Sequence, residues 1–193
     1  MFAIPLKARD GETAELRPLE PWRAAEFLAH MDRGRDFVGQ FISFADRAAD
    51  LASARSLLQS YADRQAADGA RIYGIWLDGT LVGGVLFVSL DAAGGSCEVG
   101  CWLEPAAVGR GLVTQSVTVL VDWAVQVRGV HRVEWVVASG NTPSVNVAQR
   151  LGMRRDGVLR QSYEHHGVRH DMEVWSVLAP EWRELRTAAE GTG

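Results

Sequence analysis

The chain has little cysteine, no long hydrophobic run, no basic stripe and no tract of biased composition. Two cysteines among 193 residues, Cys97 and Cys101, cannot staple a fold of this length, and a chain this long buries enough surface to need no staple. On a single strand they would stand roughly 13 Å apart on one face, beyond disulfide reach. They read as small buried apolar residues or as thiols lining a site. The longest uncharged apolar stretch, Gly79 to Leu90, is too short to span a bilayer. The start, Met1-Phe-Ala-Ile-Pro-Leu-Lys7, is too short and too soon charged for a signal peptide. No membrane partner is expected, and the location expected is cytoplasmic. With a net charge of -4 and no clustered Lys or Arg, a nucleic-acid partner is not expected either. Without repeats or linkers, the reading is one domain over 1–193, with a core of about 14–182 and a polar tail that frays.

What is present is a sequence of short elements separated by glycine and proline. Ala14 to Pro18 reads as a first strand, and Pro21 opens a helix from about Trp22 to Met31. Gly34 to Asp46 carries Phe37, Val38, Phe41, Ile42 and Phe44, and reads as a short helix or a loop with an apolar side. That segment could cover an acceptor site or belong to the core. Ala48 to Ala67, free of Gly and Pro, reads as a helix closed by Gly69. Strands follow at 71–77, 81–90 and 97–103, the first two joined by the hairpin signal Asp78-Gly79. From Gly111 to Arg128 the pattern changes. Val113, Val117, Leu120, Val121 and Ala124 fall on one helical face, and this periodicity outweighs the strand preference of valine. A strand at 132–138, a helix from Thr142-Pro143 to Arg150, and a closing hairpin (158–163 and 171–178) complete the chain. The fold class expected is α+β: a mostly antiparallel mixed sheet of about six to seven strands flanked by helices, with one parallel crossover from strand 97–103 to strand 132–138.

The segment with most chemistry is Glu104-Pro-Ala-Ala-Val108-Gly109-Arg110-Gly111-Leu112-Val113-Thr114, between a strand and a helix. Two glycines two apart let the backbone turn tightly and approach a ligand. The first-turn amides of the helix lack internal partners and, with the helix dipole, suit a pyrophosphate. The same pattern is equally that of a plain turn. A dinucleotide fingerprint is excluded, since no third glycine follows.

Val108-Gly-Arg-Gly-Leu-Val113 resembles the CoA-pyrophosphate loop of the GNAT acyltransferase superfamily, and within it the ribosomal-protein N-terminal acetyltransferases. Four further segments resemble that subgroup in order: Glu98-Val-Gly-Cys-Trp-Leu103; Val119-Leu-Val-Asp-Trp-Ala124; Asn141-x-x-Ser144 with Val147-Ala-x-Arg-Leu-Gly-Met153; and Gly157-Val-Leu-Arg160 with Asp171-Met-Glu-Val-Trp-Ser176. The resemblance covers roughly Leu16 to Trp182. There are departures. Val108 stands where the family often has Arg or Gln, Val113 where it has Gly or Ala, and Cys101 where it has an aromatic. Ala148 replaces a Tyr that much of the superfamily uses in catalysis, and that this subgroup usually lacks.

The resemblance implies transfer of an acetyl group from acetyl-CoA to a primary amine, on a small molecule or a protein N-terminus. It also implies a possible homodimer. A strand bulge near Glu98 would splay strands 97–103 and 132–138 to admit the pantetheine arm, with a backbone amide polarising the thioester. Val99, Cys101, Leu103, Val108, Gly109, Arg110, Gly111, Leu112, Val113, Thr114, Asn141, Ser144 and Asn146 would then bind the coenzyme. Glu98 is the candidate general base, against a salt-bridge or rim role. Ser144 is the candidate proton donor to the thiolate, against a role in helix capping. Asn141 would hydrogen-bond the pantetheine, against a turn-forming role. His165, His166 and His170 lie on a hairpin tip without Cys or carboxylate at ligand spacing, so no metal is expected and an acceptor-side role is preferred. The alternatives are another donor, such as succinyl-CoA, and a non-catalytic acyl-CoA sensor.

Overall fold

The computed structural model describes residues 3–9 and 11–191; Met1 and Phe2, on which part of the signal-peptide reading rests, lie outside them, as do Asp10, Thr192 and Gly193. An eight-stranded sheet has the order β1-β2-β3-β4-β5-β6-β8-β7. Its strands are β1 (Ile4–Leu6), β2 (Ala14–Pro18), β3 (Arg71–Leu77), β4 (Thr80–Asp91), β5 (Ser96–Leu103), β6 (Arg132–Ala138), β7 (Arg154–His165) and β8 (Val168–Leu178). The helices are α1 (Ala24–Val38), α2 (Phe44–Arg47), α3 (Leu51–Ala66), α4 (Leu112–Asp122), α5 (Thr142–Arg150) and α6 (Ala179–Glu190). β5 and β6 run parallel, and the other registered pairs are antiparallel. The strand beyond the expected six to seven is β1, three residues with Pro5 at their centre. Proline cannot donate to a ladder, so such a strand suits a sheet edge.

The chain falls into two compact units, Met1–Phe87 with Gly100–Val117 and Val88–Val99 with Thr118–Gly193. In the first, the β2–β3–β4 meander registers Ala14 with Leu77 and Leu77 with Thr80. The Asp78-Gly79 turn has φ of 46° and 76°, the left-handed pair that a tight hairpin needs. Asp50 and Ser53 close a reciprocal capping box at the start of α3. The core gathers Phe27 of α1, Phe44 of α2, Tyr61 of α3 and Trp102 of β5. Phe44 meets Trp102 edge-on at 5.1 Å and Tyr61 at 6.3 Å. β4 comes close beneath this core: a Cβ on Gly84 would stand 2.2 Å from the Trp102 ring, so no side chain fits there.

The apolar 37–44 segment divides. Val38 and Phe44 are core, and Phe37 is 42% exposed. α1 runs through Gly34 to Val38, beyond the expected end at Met31, because Gly34 packs against Glu104, whose Cβ lies 3.4 Å from where a Gly34 Cβ would stand.

In the second unit β6 is central, with β5 parallel on one side and β8 antiparallel on the other. Val133, Trp135 and Val137 alternate as its buried face. α4 passes into a π-helical turn at Trp123–Val127, where the Arg128 amide bonds the Trp123 carbonyl at 3.1 Å. The polar tail expected to fray is instead α6. Trp182 is 3% exposed and donates its indole N–H to Asp122 at 2.8 Å, which fixes the helix. The terminal hairpin is longer than expected at both strands and turns at His166-Gly167, with φ of 49° and 77°. Among the described residues no helix is long and apolar enough to cross a membrane.

Candidate active site

The first unit holds Cys101, Leu103 and the whole loop from Val108 to Thr114; the second holds Glu98, Val99, Asn141, Ser144 and Asn146.

The loop leaves β5 at Glu104, turns through Pro105–Ala107 and enters α4 at Leu112. Gly109 and Gly111 have φ of 80° and 75°, so both glycines are required by backbone conformation. Among the described residues, chain neighbours apart, no atom lies within 4 Å of where a Gly109 Cβ would stand, and near Gly111 only Gln115 Nε2 does, at 3.6 Å. Leu112 and Val113 are buried, so their side chains belong to the core. Val117, Leu120, Val121 and Ala124 continue that buried face, as the spacing predicts. α4 is thus anchored by its apolar side, and the positive end of its dipole lies at the loop.

The start of the loop is fixed by a buried polar chain that the sequence did not disclose. Trp102 donates its indole N–H to His30 Nε2 at 3.0 Å. An indole can only donate, so His30 accepts at Nε2 and carries its proton on Nδ1. Nδ1 then donates to Glu104 Oε2 at 3.0 Å, and Arg33 Nε donates to the same oxygen at 3.1 Å. Burial pushes the His30 pKa below its ordinary value, against the upward pull of Glu104. His30 is therefore a neutral connector between core and loop. Removing it would leave the buried Trp102 indole N–H unpaired, at a cost of about 1–3 kcal/mol, and Glu104 held by Arg33. The only sequence signal was a lone His in the helix read from about Trp22 to Met31.

In the second unit the parallel ladder registers Ser96, Cys97 and Glu98 with Arg132, Val133 and Glu134. Glu98, the last registered residue, is partly buried beside Glu134. Burial first, and the Glu134 charge second, push its carboxyl above the usual range. Along β5 the burial alternation slips: Cys97 and Val99 are buried, Gly100 and Cys101 are both intermediate, and Trp102 is buried again. Such a slip of phase is what a strand bulge produces. Hence the two cysteines do not share a fully buried face. Cys101 is the more exposed, and burial pushes both thiols up to about 12.

Trp135, next along β6 from Glu134, donates its indole N–H to Ser144 Oγ at 3.1 Å. The hydroxyl oxygen is occupied as an acceptor, and its hydrogen stays free to be donated. α5 runs from Thr142 to Arg150 as expected, and its cap is Asn141, which accepts from the Ser144 amide at 3.2 Å. That capping role engages its carbonyl oxygen and leaves its amide NH₂ as a donor. Asn146 is exposed on α5. At the hairpin tip the rings of His165 and His166 stack at 4.0 Å, and Tyr163 stacks on His165 at 5.7 Å.

Comparison with known proteins agrees with this fold. A family model described as "Acetyltransferase (GNAT) domain" matches residues 14–154. The "Probable N-acetyltransferase YjcK" of Bacillus subtilis is 31% identical over 89% of this chain and 97% of its own length. Among solved structures, Mycobacterium smegmatis RimJ in complex with CoA-disulfide superposes with a TM-score of 0.83 at 23% identity, covering 93% of this chain and 88% of that one. The ribosomal-protein-S5-alanine acetyltransferase of Vibrio fischeri gives a TM-score of 0.83 at 16% identity, covering 94% and 99%. The chain belongs to the GNAT family of N-acetyltransferases.

Proposed function

We propose that the protein transfers an acetyl group from acetyl-CoA directly to a primary amine, with Glu98 as general base and Ser144 as proton donor to the leaving thiolate. The observation that carries this reading is Glu98, a partly buried carboxylate made more basic by burial and by Glu134. The reacting amine must be neutral, and an N-terminal amine has an ordinary pKa of about 8. Glu98, directly or through a water, takes its proton as nitrogen attacks the thioester carbonyl. The C–N bond forms, the C–S bond breaks, and the Ser144 hydroxyl passes its hydrogen to sulfur and is restored from solvent. A positioned carboxylate of this kind contributes about 10²–10⁴ in rate.

Direct transfer is favoured over an acyl-cysteine intermediate. A cysteine nucleophile must be a thiolate, and thiols held at about 12 are protonated at neutral pH. For the acceptor, peptide N-termini are the first class to try, since the Vibrio fischeri relative is described as acting on an alanine of a ribosomal protein. One observation favours the sensor alternative. Val108 is apolar, and Arg110 is ion-paired with Glu12, so the loop's own cation is engaged.

The test is thiol release from acetyl-CoA and from succinyl-CoA, against N-terminal peptides, polyamines and aminoglycosides. Release from acetyl-CoA with a single acceptor class supports the reading. Release from succinyl-CoA alone corrects the donor, and CoA binding without release above hydrolysis in any pairing favours the sensor.

A further inference from the structure

The segment before β2 runs along the phosphate loop and is tied to it at three points. Gln115 of α4 makes a two-way bond with the Lys7 backbone: the Lys7 amide donates to Gln115 Oε1 at 2.8 Å, and Gln115 Nε2 donates to the Lys7 carbonyl at 3.0 Å. Arg9 Nη2 donates to the Gly109 carbonyl at 2.5 Å. Glu12 closes the strap through its ion pair with Arg110. Lys7 thus meets Gln115 in the first turn of α4, and Arg9 and Glu12 meet Gly109 and Arg110 in the loop before it.

The charges along this strap are unequal in what they have left to offer. Arg110, in the loop, is neutralised by Glu12. Val108 is 53% exposed and carries no charge. Arg9 is exposed, and among the described residues it makes no ion pair; its bond is to a backbone carbonyl. A guanidinium has five N–H donors in a fixed fork, and here one of them meets Gly109. That bond holds the cation at the glycine turn before α4, and leaves the rest of the fork for phosphate oxygens.

We infer that Arg9 supplies the cation for the coenzyme's phosphates that Val108 does not, and that Glu12 weakens the same site by holding Arg110. The inference rests on the reading that the loop binds acyl-CoA. The chemistry recognised is a phosphate oxyanion, from either the pyrophosphate or the 3′-phosphate.

The experiment is calorimetric titration of the full chain with CoA, dephospho-CoA and pantetheine, on wild type and on Arg9→Ala, Arg9→Lys and Glu12→Gln. Charge-assisted hydrogen bonds at an exposed site lead us to expect about tenfold weaker CoA binding in Arg9→Ala, most of it recovered in Arg9→Lys. Glu12→Gln should tighten CoA binding several-fold, and both effects should shrink as salt is raised. A loss shared by CoA and dephospho-CoA assigns Arg9 to the pyrophosphate; a loss confined to CoA assigns it to the 3′-phosphate. An Arg9→Ala protein that melts like wild type and binds CoA unchanged overturns the inference, and so does an equal loss for pantetheine. If wild type binds no CoA, the acyl-CoA reading falls, and this inference with it.

Discussion

The phosphate loop and the end of the β5–β6 ladder are built from different materials. In the loop the proposed binding is by backbone: two left-handed glycines shape the turn, buried Leu112 and Val113 seat the helix, and the amides are the proposed ligand contacts. At the ladder end the proposed catalysis is by side chains: a carboxylate shifted by its surroundings and a hydroxyl oriented by an indole. Substitution should therefore separate the two. Damage to the loop should appear in coenzyme affinity, and damage to the ladder end in turnover.

The largest effect is expected at Glu98. Glu98→Gln keeps size and hydrogen bonding and removes the base, so kcat should fall about 10²–10⁴-fold with coenzyme affinity nearly unchanged. An unaltered kcat would remove Glu98 from the mechanism. Next comes Gly111→Asp. A side chain at φ 75° costs about 1–2 kcal/mol in strain, and its carboxylate would compete with phosphate for the helix amides. Coenzyme binding should weaken roughly 10–100-fold, read by titration; survival of binding would mean that the loop is misassigned. Ser144→Ala should lower kcat by about tenfold only, because a thiol of ordinary pKa near 8.5 is already a fair leaving group without help. The loss should be recovered with an acyl-aryl thioester, whose leaving group needs no proton.

The smallest effect sharpens the account of Glu98 itself. As a base it acts when deprotonated, so activity is lost as pH falls through its raised pKa. Glu134→Gln removes one of the two causes of that rise and should move the acid limb of kcat/KM to lower pH. Burial, the larger cause, remains, so the limb should stay above the ordinary carboxylate range. A limb that moves up, or does not move, contradicts the pairing.

The same contrast governs what the sequence disclosed. The loop was legible because its turn is set by the backbone, and a backbone constraint shows as glycine at fixed spacing. The α4 face was legible because Val113, Val117, Leu120, Val121 and Ala124 repeat with the helical period, and all are buried. Glu98 and Ser144 were nameable through the family resemblance; their partners were not. Glu134 comes beside Glu98 through strand register, and Trp135 reaches Ser144 from a neighbouring element; neither follows from local pattern. The His30–Glu104 bond joins residues 74 apart in the chain, and the continuation of α1 past Met31 depends on the same contact, since Gly34 makes room for Glu104. The strap was hidden for another reason: Lys7, Arg9 and Glu12 form no pattern, and only the fold sets them along the loop.

The most direct test of the central claim is CoA titration and acetyl-transfer turnover measured together on Glu98→Gln and Gly111→Asp. The account expects Glu98→Gln to bind CoA like wild type and not turn over, and Gly111→Asp to lose binding in proportion to its loss of kcat/KM. If Glu98→Gln lost CoA binding while Gly111→Asp kept it, backbone binding and side-chain catalysis would not be divided as described.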